Sequence, residues 1–279
     1  MNMVGKPLVS IITACYNEEK YIEEMLLSIL NQTYCNIEMI CVDDGSEDNT
    51  ADIIKSYIDI FEKNNRRLYY FYQKNQGQAV ATNNALKIIH GKYLAWIDGD
   101  DYLFPGAIEK KVEFLENNDE YGMVTSDFYL LFQDKAAPME RKSLKYGDLN
   151  FQTNQFYLTL AGLSIIENLA HMIRVDYFRK INPSMEIPIC REGQNFQIVL
   201  PMQYRYKRGY IDEPLGCYRI HDDSHFHKKR TFDEWVNRNN SLLNMVKEVF
   251  DLLEINQNEQ ERLLRISSFY RGMRVIDNG

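Results

Sequence analysis

Asp98-Gly99-Asp100-Asp101 places three carboxylates within four residues, directly after the apolar run Tyr93-Leu94-Ala95-Trp96-Ile97. Carboxylates this close repel one another unless a cation sits among them. A hard divalent ion such as Mg²⁺ or Mn²⁺ takes oxygen ligands and keeps several waters, commonly using one or two carboxylates plus the phosphates of a substrate. Gly99 lets the backbone turn so that alternate carboxylates converge. The plainer reading is a solvated acidic turn, because Asp and Gly are ordinary turn residues. A second acidic rim, Asp43-Asp44-Gly45-Ser46, follows the run Ile37-Glu38-Met39-Ile40-Cys41-Val42. Ser46 or Asp48 there can cap the next helix. Capping needs only one such side chain, whereas a carboxylate at this rim can also accept from a base N–H or a ribose hydroxyl.

The elements that must carry these rims are legible in the hydrophobic pattern. Leu8 to Ala14 is a continuous, β-branched run of buried-strand type. Asn17-Glu18-Glu19 opens a helix with acidic residues in its first turn. Ile22, Met25, Leu26, Ile29 and Leu30 then fall on one helical face. The second strand, Ile37 to Val42, is followed by a helix marked by Ala51, Ile54, Ile58 and Phe61. Leu68 to Tyr72 reads as a third strand, Ala79 to Ile89 as a third helix and Tyr93 to Ile97 as a fourth strand. This alternation predicts a mostly parallel, twisted sheet with helices on both faces. In such sheets ligands bind beyond the carboxyl ends of the strands, where both acidic rims lie.

Further along, Pro105 to Glu116 reads as a helix and Tyr121 to Phe132 contains a strand. Gln133 to Asn154 reads as a loop or small insertion, His171 to Val175 as a strand and Asn195 to Met202 as part of a helix. From Thr231 the pattern is helical only. The stripe through Leu242, Leu243, Met245, Val246, Val249, Phe250, Leu252 and Leu253 is too apolar to face water. It must cover the rest of the chain, a second copy in a homodimer, or a membrane surface. Lys247, Glu248, Asp251 and Glu254 do not make the basic face of a membrane-surface helix, which favours packing within the chain or a dimer.

Composition excludes several classes. The formal net charge of −8 argues against nucleic acid as a partner, since phosphate contacts need clustered positive charge. Seven prolines and fourteen glycines in 279 residues leave no room for a long disordered tract. The N-terminal residues lack the basic and apolar parts of a signal peptide. The longest apolar stretch, Leu158 to Ile173, is interrupted by Glu167, Asn168 and His171, so no bilayer span is expected. Five cysteines without a C-x-x-C pair read as reduced structural thiols in a cytoplasmic protein.

Four blocks together resemble the family 2 glycosyltransferases. They are Val9-Ser10-Ile11-Ile12-Thr13-Ala14-Cys15-Tyr16-Asn17-Glu18, Ser28 to Tyr34, Val42 to Thr50 and Asp98-Gly99-Asp100-Asp101, in the family's order and spacing. The resemblance covers roughly residues 7 to 130. It implies a GT-A fold, a Rossmann-like, mostly parallel sheet with flanking helices, and inverting transfer from a nucleotide-diphospho-sugar. Carried over by position, Ala14, Tyr16 and Asp44 line the nucleoside, with Asp44 facing the base. Asp98 and Asp100 form the metal–diphosphate motif, with Asp101 as support. In Tyr218-Arg219-Ile220-His221 the resemblance makes His221 a late metal ligand or a residue that closes on the diphosphate, and Arg219 could pair with phosphate oxygens. Taken alone, His221, His225 and His227 read as surface histidines.

The chain also departs from the family. Thr82 stands where many members carry Arg, and Asn83 reads equally as a packing amide or a ligand contact. The acidic pair expected near the acceptor is replaced by Gln194-Asn195, neither of which can take a proton. Glu192 lies close by and is the candidate general base, with helix-terminal charge compensation as its plainer role. Asp127, Asp212 and Glu213 are weaker substitutes. Phe151, Phe156, Tyr157, Tyr204 and Tyr206 are candidates for an acceptor groove.

The expectation is therefore a GT-A domain over residues 1–225 and a helical appendage over 226–279. Residues 1–104 would take the nucleotide sugar, most simply a UDP-sugar with Mg²⁺ or Mn²⁺, and 105–225 the acceptor. The acceptor would be a saccharide or lipid-linked saccharide, met at the inner face of the membrane through peripheral contact. The alternative is a non-catalytic nucleotide-sugar or glycan-binding module, kept open by Gln194-Asn195. A nucleotidyltransferase would want a Gly-rich basic loop near the start, and an Asp-x-Asp phosphatase would carry that motif after the first strand.

Overall fold

The computed structural model describes residues 5–132, 140–191, 195–221 and 231–278, with side chains to residue 268. Its sheet begins as expected, with β1 (Val9–Cys15), α1 (Ile22–Leu30), β2 (Ile37–Asp43), α2 (Thr50–Lys63), β3 (Arg67–Tyr72), α3 (Gln78–Leu86) and β4 (Tyr93–Trp96). The order across the sheet is β3-β2-β1-β4, all parallel. Because side chains alternate across a strand, each of these strands serves two cores. Val9, Ile11, Met39, Cys41, Tyr93 and Ala95 face a core shared with α1 and α2. Ile12, Ile40, Val42, Leu94 and Trp96 face a second core with α3. Helices on both faces leave only the strand ends open to a ligand.

Beyond β4 the sheet becomes mixed. The strands are β5 (Tyr102–Leu103), β6 (Tyr121–Phe132), β7 (Glu140–Arg141), β8 (His171–Arg174) and β9 (Lys207–Ile220). β8 pairs antiparallel with both β4 and β6, β9 runs parallel to β6, and β5 and β7 close the edges antiparallel to β9 and β6. The helices here are α4 (Ala107–Glu116), α5 (Gln155–Leu160), α6 (Val175–Ile181) and α7 (Phe196–Arg205). The stretch 140–154 holds β7 and two 3₁₀ turns, Lys142–Lys145 and Gly147–Phe151.

The expected helix opening at Asn17-Glu18-Glu19 is corrected. The helix begins only at Ile22, and Asn17 takes a left-handed φ of 56° that its short side chain tolerates. The Ser28–Tyr34 block is structural. Gln32 is buried, donates to the carbonyls of Ser28 and Phe104 at 3.0 and 2.9 Å, and accepts from the Ile108 amide at 3.1 Å. It ties the end of α1 to the start of α4.

Two long helices end the chain, α8 (Phe232–Leu252) and α9 (Gln257–Asn278). The apolar stripe of α8 packs within the chain. Leu242, Met245, Val246, Val249 and Phe250 bury against Phe156 and Leu160 of α5 and Phe196 and Leu200 of α7. Thr231 caps α8 in a reciprocal box with Glu234. Phe250 is wholly buried beside Phe156. Phe250→Ala is expected to cost about 3–5 kcal/mol of stability, read by urea unfolding. A loss below about 1 kcal/mol would mean that α8 is not part of the folded core.

Lys111 of α4 is fully buried, donating from Nζ to the Leu169 carbonyl at 2.6 Å. Burial pushes its ammonium down from 10.5 to about 7. The folded value lies below the unfolded one, so the unfolded chain binds more protons between about pH 7 and 10.5. The lysine's contribution to stability therefore rises with pH through that window and is least favourable below it. Lys111→Met is expected to gain more melting temperature over the parent at pH 6 than at pH 9.5, as read by scanning calorimetry. An equal difference at both pH values would contradict the burial.

Candidate active site

The strand ends of β1, β2 and β4 form one continuous rim. The Asp44 amide donates to the Cys15 carbonyl at 2.8 Å, holding the ends of β1 and β2 together. Two loops then lace across them. The backbone amides of Asn17, Glu18 and Glu19 donate to the side chains of Ser46, Thr50 and Asp48 at 3.0, 2.7 and 3.0 Å. In return, the amides of Glu47 and Asn49 donate to Asn17 and Glu19. Ser46 thus serves the neighbouring loop, and the N-cap of α2 is Asn49, without a side-chain capping bond. Ala14 is half-buried and Tyr16 is 45% exposed at this edge.

The two rim aspartates after β2 differ. Asp43 is sealed in, accepting from the Ser46 amide and the Tyr70 hydroxyl, both at 2.8 Å. Asp44 reaches forward and accepts from Gln73 Nε2 at 2.7 Å and from the amides of Gln76 and Gly77 at 2.8 Å. It therefore shapes the loop before α3. Gly45 makes the approach fit: its φ is +82°, and a Cβ there would lie 2.8 Å from the Asn75 amide nitrogen.

The next residue after that loop, Gln78, donates to Asp98 Oδ1 at 2.8 Å, and Asn168 Nδ2 donates to the same oxygen at 2.7 Å. Burial, then the charge of Asp100, pushes Asp98 up to about 7 against these two bonds. Asp101 is buried and raised well above the carboxylate range by burial and by its two acidic neighbours. Its Oδ1 accepts the Arg219 amide at 2.9 Å, and its Oδ2 is buried without a partner among the described residues. At Gly99 a Cβ would lie 3.0 Å from Glu18 Cγ, a tight contact to which the Glu18 side chain would have to yield.

β9 delivers the third part. Arg219 donates from Nε to the Asp100 carbonyl at 3.0 Å, pairs with Glu24 of α1, and lies 4.8 Å over the Tyr21 ring. Two residues on, His221 Nε2 lies 3.0 Å from Asp100 Oδ2, and its ring sits 4.8 Å from that of Tyr21. The structure thus brings Asp44, Asp98, Asp100 and His221 to one rim. Arg219 is engaged by protein groups there.

The other sequence candidates fall elsewhere. Asn83 is a packing amide: it accepts from the Ile187 amide at 2.7 Å and donates to the Ile187 carbonyl at 3.0 Å. Asp127 is buried against Arg141 Nε and the Ser143 amide, Asp212 pairs with Arg141 and Glu213 with Lys110, so all three are structural ion pairs. Asn195 donates to the Ile166 carbonyl at 2.8 Å. Glu192, Gln194, His225 and His227 lie outside the described residues, while Arg191 packs 3.5 Å from where a Gly77 side chain would begin. Phe156 is core and Tyr206 packs on Tyr177, which leaves Phe151, Tyr157 and Tyr204 as exposed rings. Sequence reasoning missed Gln78, Asn168 and Tyr21.

The residues suit a divalent cation in one respect. Asp98 and Asp101 are both raised, first by burial and then by the neighbouring carboxylates, and Asp101 keeps a buried oxygen without a partner among the described residues. No group of three or more His, Cys, Asp and Glu side chains among the described residues forms a metal cage. An ion here would draw most of its ligands from a diphosphate and water, the usual habit of Mg²⁺.

The sheet order, the helices on both faces and the acidic turn at the end of β4 define a GT-A glycosyltransferase fold. Two solved structures share it. Staphylococcus aureus TarS residues 1–349 match at TM-score 0.63 and 16% identity, over 95% of this chain and 72% of that one. A mannosyltransferase from Pyrobaculum calidifontis, solved with GDP-Man and Mn²⁺, matches at 0.62 and 15%, over 96% and 70%. Residues 10–181 match the model of glycosyl transferase family 2, and the chain belongs to that family. An uncharacterized glycosyltransferase of Methanocaldococcus jannaschii is 37% identical over 78% of this chain and 73% of its own length. TuaG of Bacillus subtilis, assigned by name to teichuronic acid biosynthesis, is 38% identical over 51% of this chain and 57% of its own length. The chain spans about half the length of TuaG and of a Haemophilus influenzae glycosyltransferase, 57% and 45% respectively.

Proposed function

We propose that the chain transfers a glycosyl unit, with inversion, from a nucleotide-diphospho-sugar to a saccharide hydroxyl. The observation that carries this is the unbroken polar rim from Asp44 through Gln76, Gly77 and Gln78 to Asp98, Asp100 and His221. In this reading Tyr16 and Asp44 would line the nucleoside, and the acidic turn would meet its diphosphate. TarS was solved with UDP-GlcNAc, and TuaG is named for teichuronic acid biosynthesis, which supports a UDP-sugar donor and cell-surface polysaccharide or glycolipid synthesis. We place the reaction in the cytoplasm, with a lipid-linked acceptor met at the inner membrane face. Among the described residues no helix is long and apolar enough to cross a membrane.

In this reading the acceptor oxygen bonds to the anomeric carbon as the bond to the diphosphate oxygen breaks on the opposite face. The acceptor proton passes to Glu192. Asp100 and His221 would hold Mg²⁺ or Mn²⁺, whose charge stabilises the departing diphosphate. Asp44 fixes the loop that carries Gln78, and Gln78 in turn orients Asp98. Arg219 and Tyr21 hold His221 against the turn. Incubation with a panel of UDP- and GDP-sugars, with and without Mn²⁺, should reveal metal-dependent donor hydrolysis for one of them. Nucleotide binding without hydrolysis or transfer would favour the binding module, and no binding at all would overturn both readings.

A further inference from the structure

Asp98 is held by an amide that has no freedom to turn. Asn168 lies on a 3₁₀ turn, Asn168–Ala170, and is 2% exposed. Its Oδ1 accepts from Trp96 Nε1 at 2.7 Å, and Trp96 is itself buried. An indole N–H can only donate, so the carbonyl end of the Asn168 amide must face Trp96. The NH₂ end is thereby aimed at Asp98 Oδ1, 2.7 Å away, where Gln78 also donates. Trp96 stacks on the His171 ring, and the neighbouring Leu169 carbonyl is bound by the buried Lys111. Each member of the chain Trp96, Asn168, Asp98 is thus fixed by the one before it, two residues from Asp100. Gln78 is only half-buried on α3, so Asn168 is the more rigid of the two donors.

We propose that Asn168 is a positioning residue, oriented by Trp96, that sets the direction in which the Asp98 carboxylate meets the donor. The inference rests on the reading of this rim as the donor site. The competing explanation is packing, in which Asn168 merely satisfies the buried indole and its contact with Asp98 carries no function. Replacing both partners of a buried hydrogen bond by apolar groups of similar shape can be nearly neutral for stability. That separates the two roles.

The full chain is titrated calorimetrically with UDP, and in parallel with GDP, in the presence of Mn²⁺, while melting is followed for each variant. Asn168→Leu is expected to weaken nucleotide binding about tenfold, the scale of one hydrogen bond to a charged group, and to lower the melting temperature. The double variant Trp96→Phe with Asn168→Leu should recover the melting temperature but not the affinity. Recovery of both would assign Asn168 to packing and overturn the proposal, as would parent-like affinity in the single variant. A parent that binds neither nucleotide would instead remove the donor-site reading, and this inference with it.

Discussion

Asp100→Ala is expected to abolish Mn²⁺-dependent UDP binding while leaving the chain folded. Asp100 is half-buried, at the mouth of the turn, and its carboxylate has one described side-chain partner, His221. Removing the carboxylate also relieves its repulsion of Asp98 and Asp101, which offsets the lost contact and keeps the core intact. For the ligand the change is far larger, because the cation would lose both its carboxylate and the group that steadies its imidazole. A fall in affinity of about 10²-fold or more is expected, equivalent to about 2.7 kcal/mol. Calorimetry that returned parent affinity, or a parent indifferent to Mn²⁺, would remove Asp100 from a metal role.

Glu192→Gln should leave donor binding nearly unchanged and lower transfer by about 10²–10⁴-fold, the range for losing general-base catalysis. Glutamine keeps the size and most hydrogen bonds of glutamate but cannot accept the acceptor's proton. If Glu192 only compensates a helix dipole, the change costs about 0.3–1 kcal/mol of stability and turnover stays near the parent value. Initial rates over a range of acceptor concentrations decide between these outcomes, since a lost base lowers kcat and kcat/KM together. The described alternatives are already committed to protein partners: Asp127 and Asp212 to Arg141, and Glu213 to Lys110.

Most of the parallel half of the sheet was legible because β1, β2 and β4 are buried on both faces and so read as apolar runs. Val9–Cys15 and Ile37–Asp43 are buried almost throughout. β9 was not legible. Its sequence Lys207–Ile220 contains Pro214, two glycines and five charged residues, and the pairing with β6 shifts register near Asp127. A strand of that composition holds its place by pairing rather than by pattern, as edge and bulge positions commonly do. The acidic rims stood out because carboxylates at strand ends need a reason. Their supports did not: Asn168 sits in an irregular stretch and registered only as an interruption in an apolar run. Ser46 read as a helix cap because sequence cannot distinguish a local amide from one on a facing loop, whereas Asp48 serves both, accepting from the Thr50 amide that opens α2 and from the Glu19 amide, each at 3.0 Å. The α8 stripe demanded a cover, and the partner surface on α5 and α7 became visible only in three dimensions.

The central claim is that the rim joining Asp44 to Asp98, Asp100 and His221 receives a nucleotide diphosphate. A crystal structure of the full chain with UDP and Mn²⁺ tests it most directly. The account predicts uracil beside Tyr16 and Asp44, and the diphosphate, with its metal, at Asp100 and His221. Nucleotide bound away from the ends of β1, β2 and β4, or a diphosphate turned from the acidic turn, would contradict it.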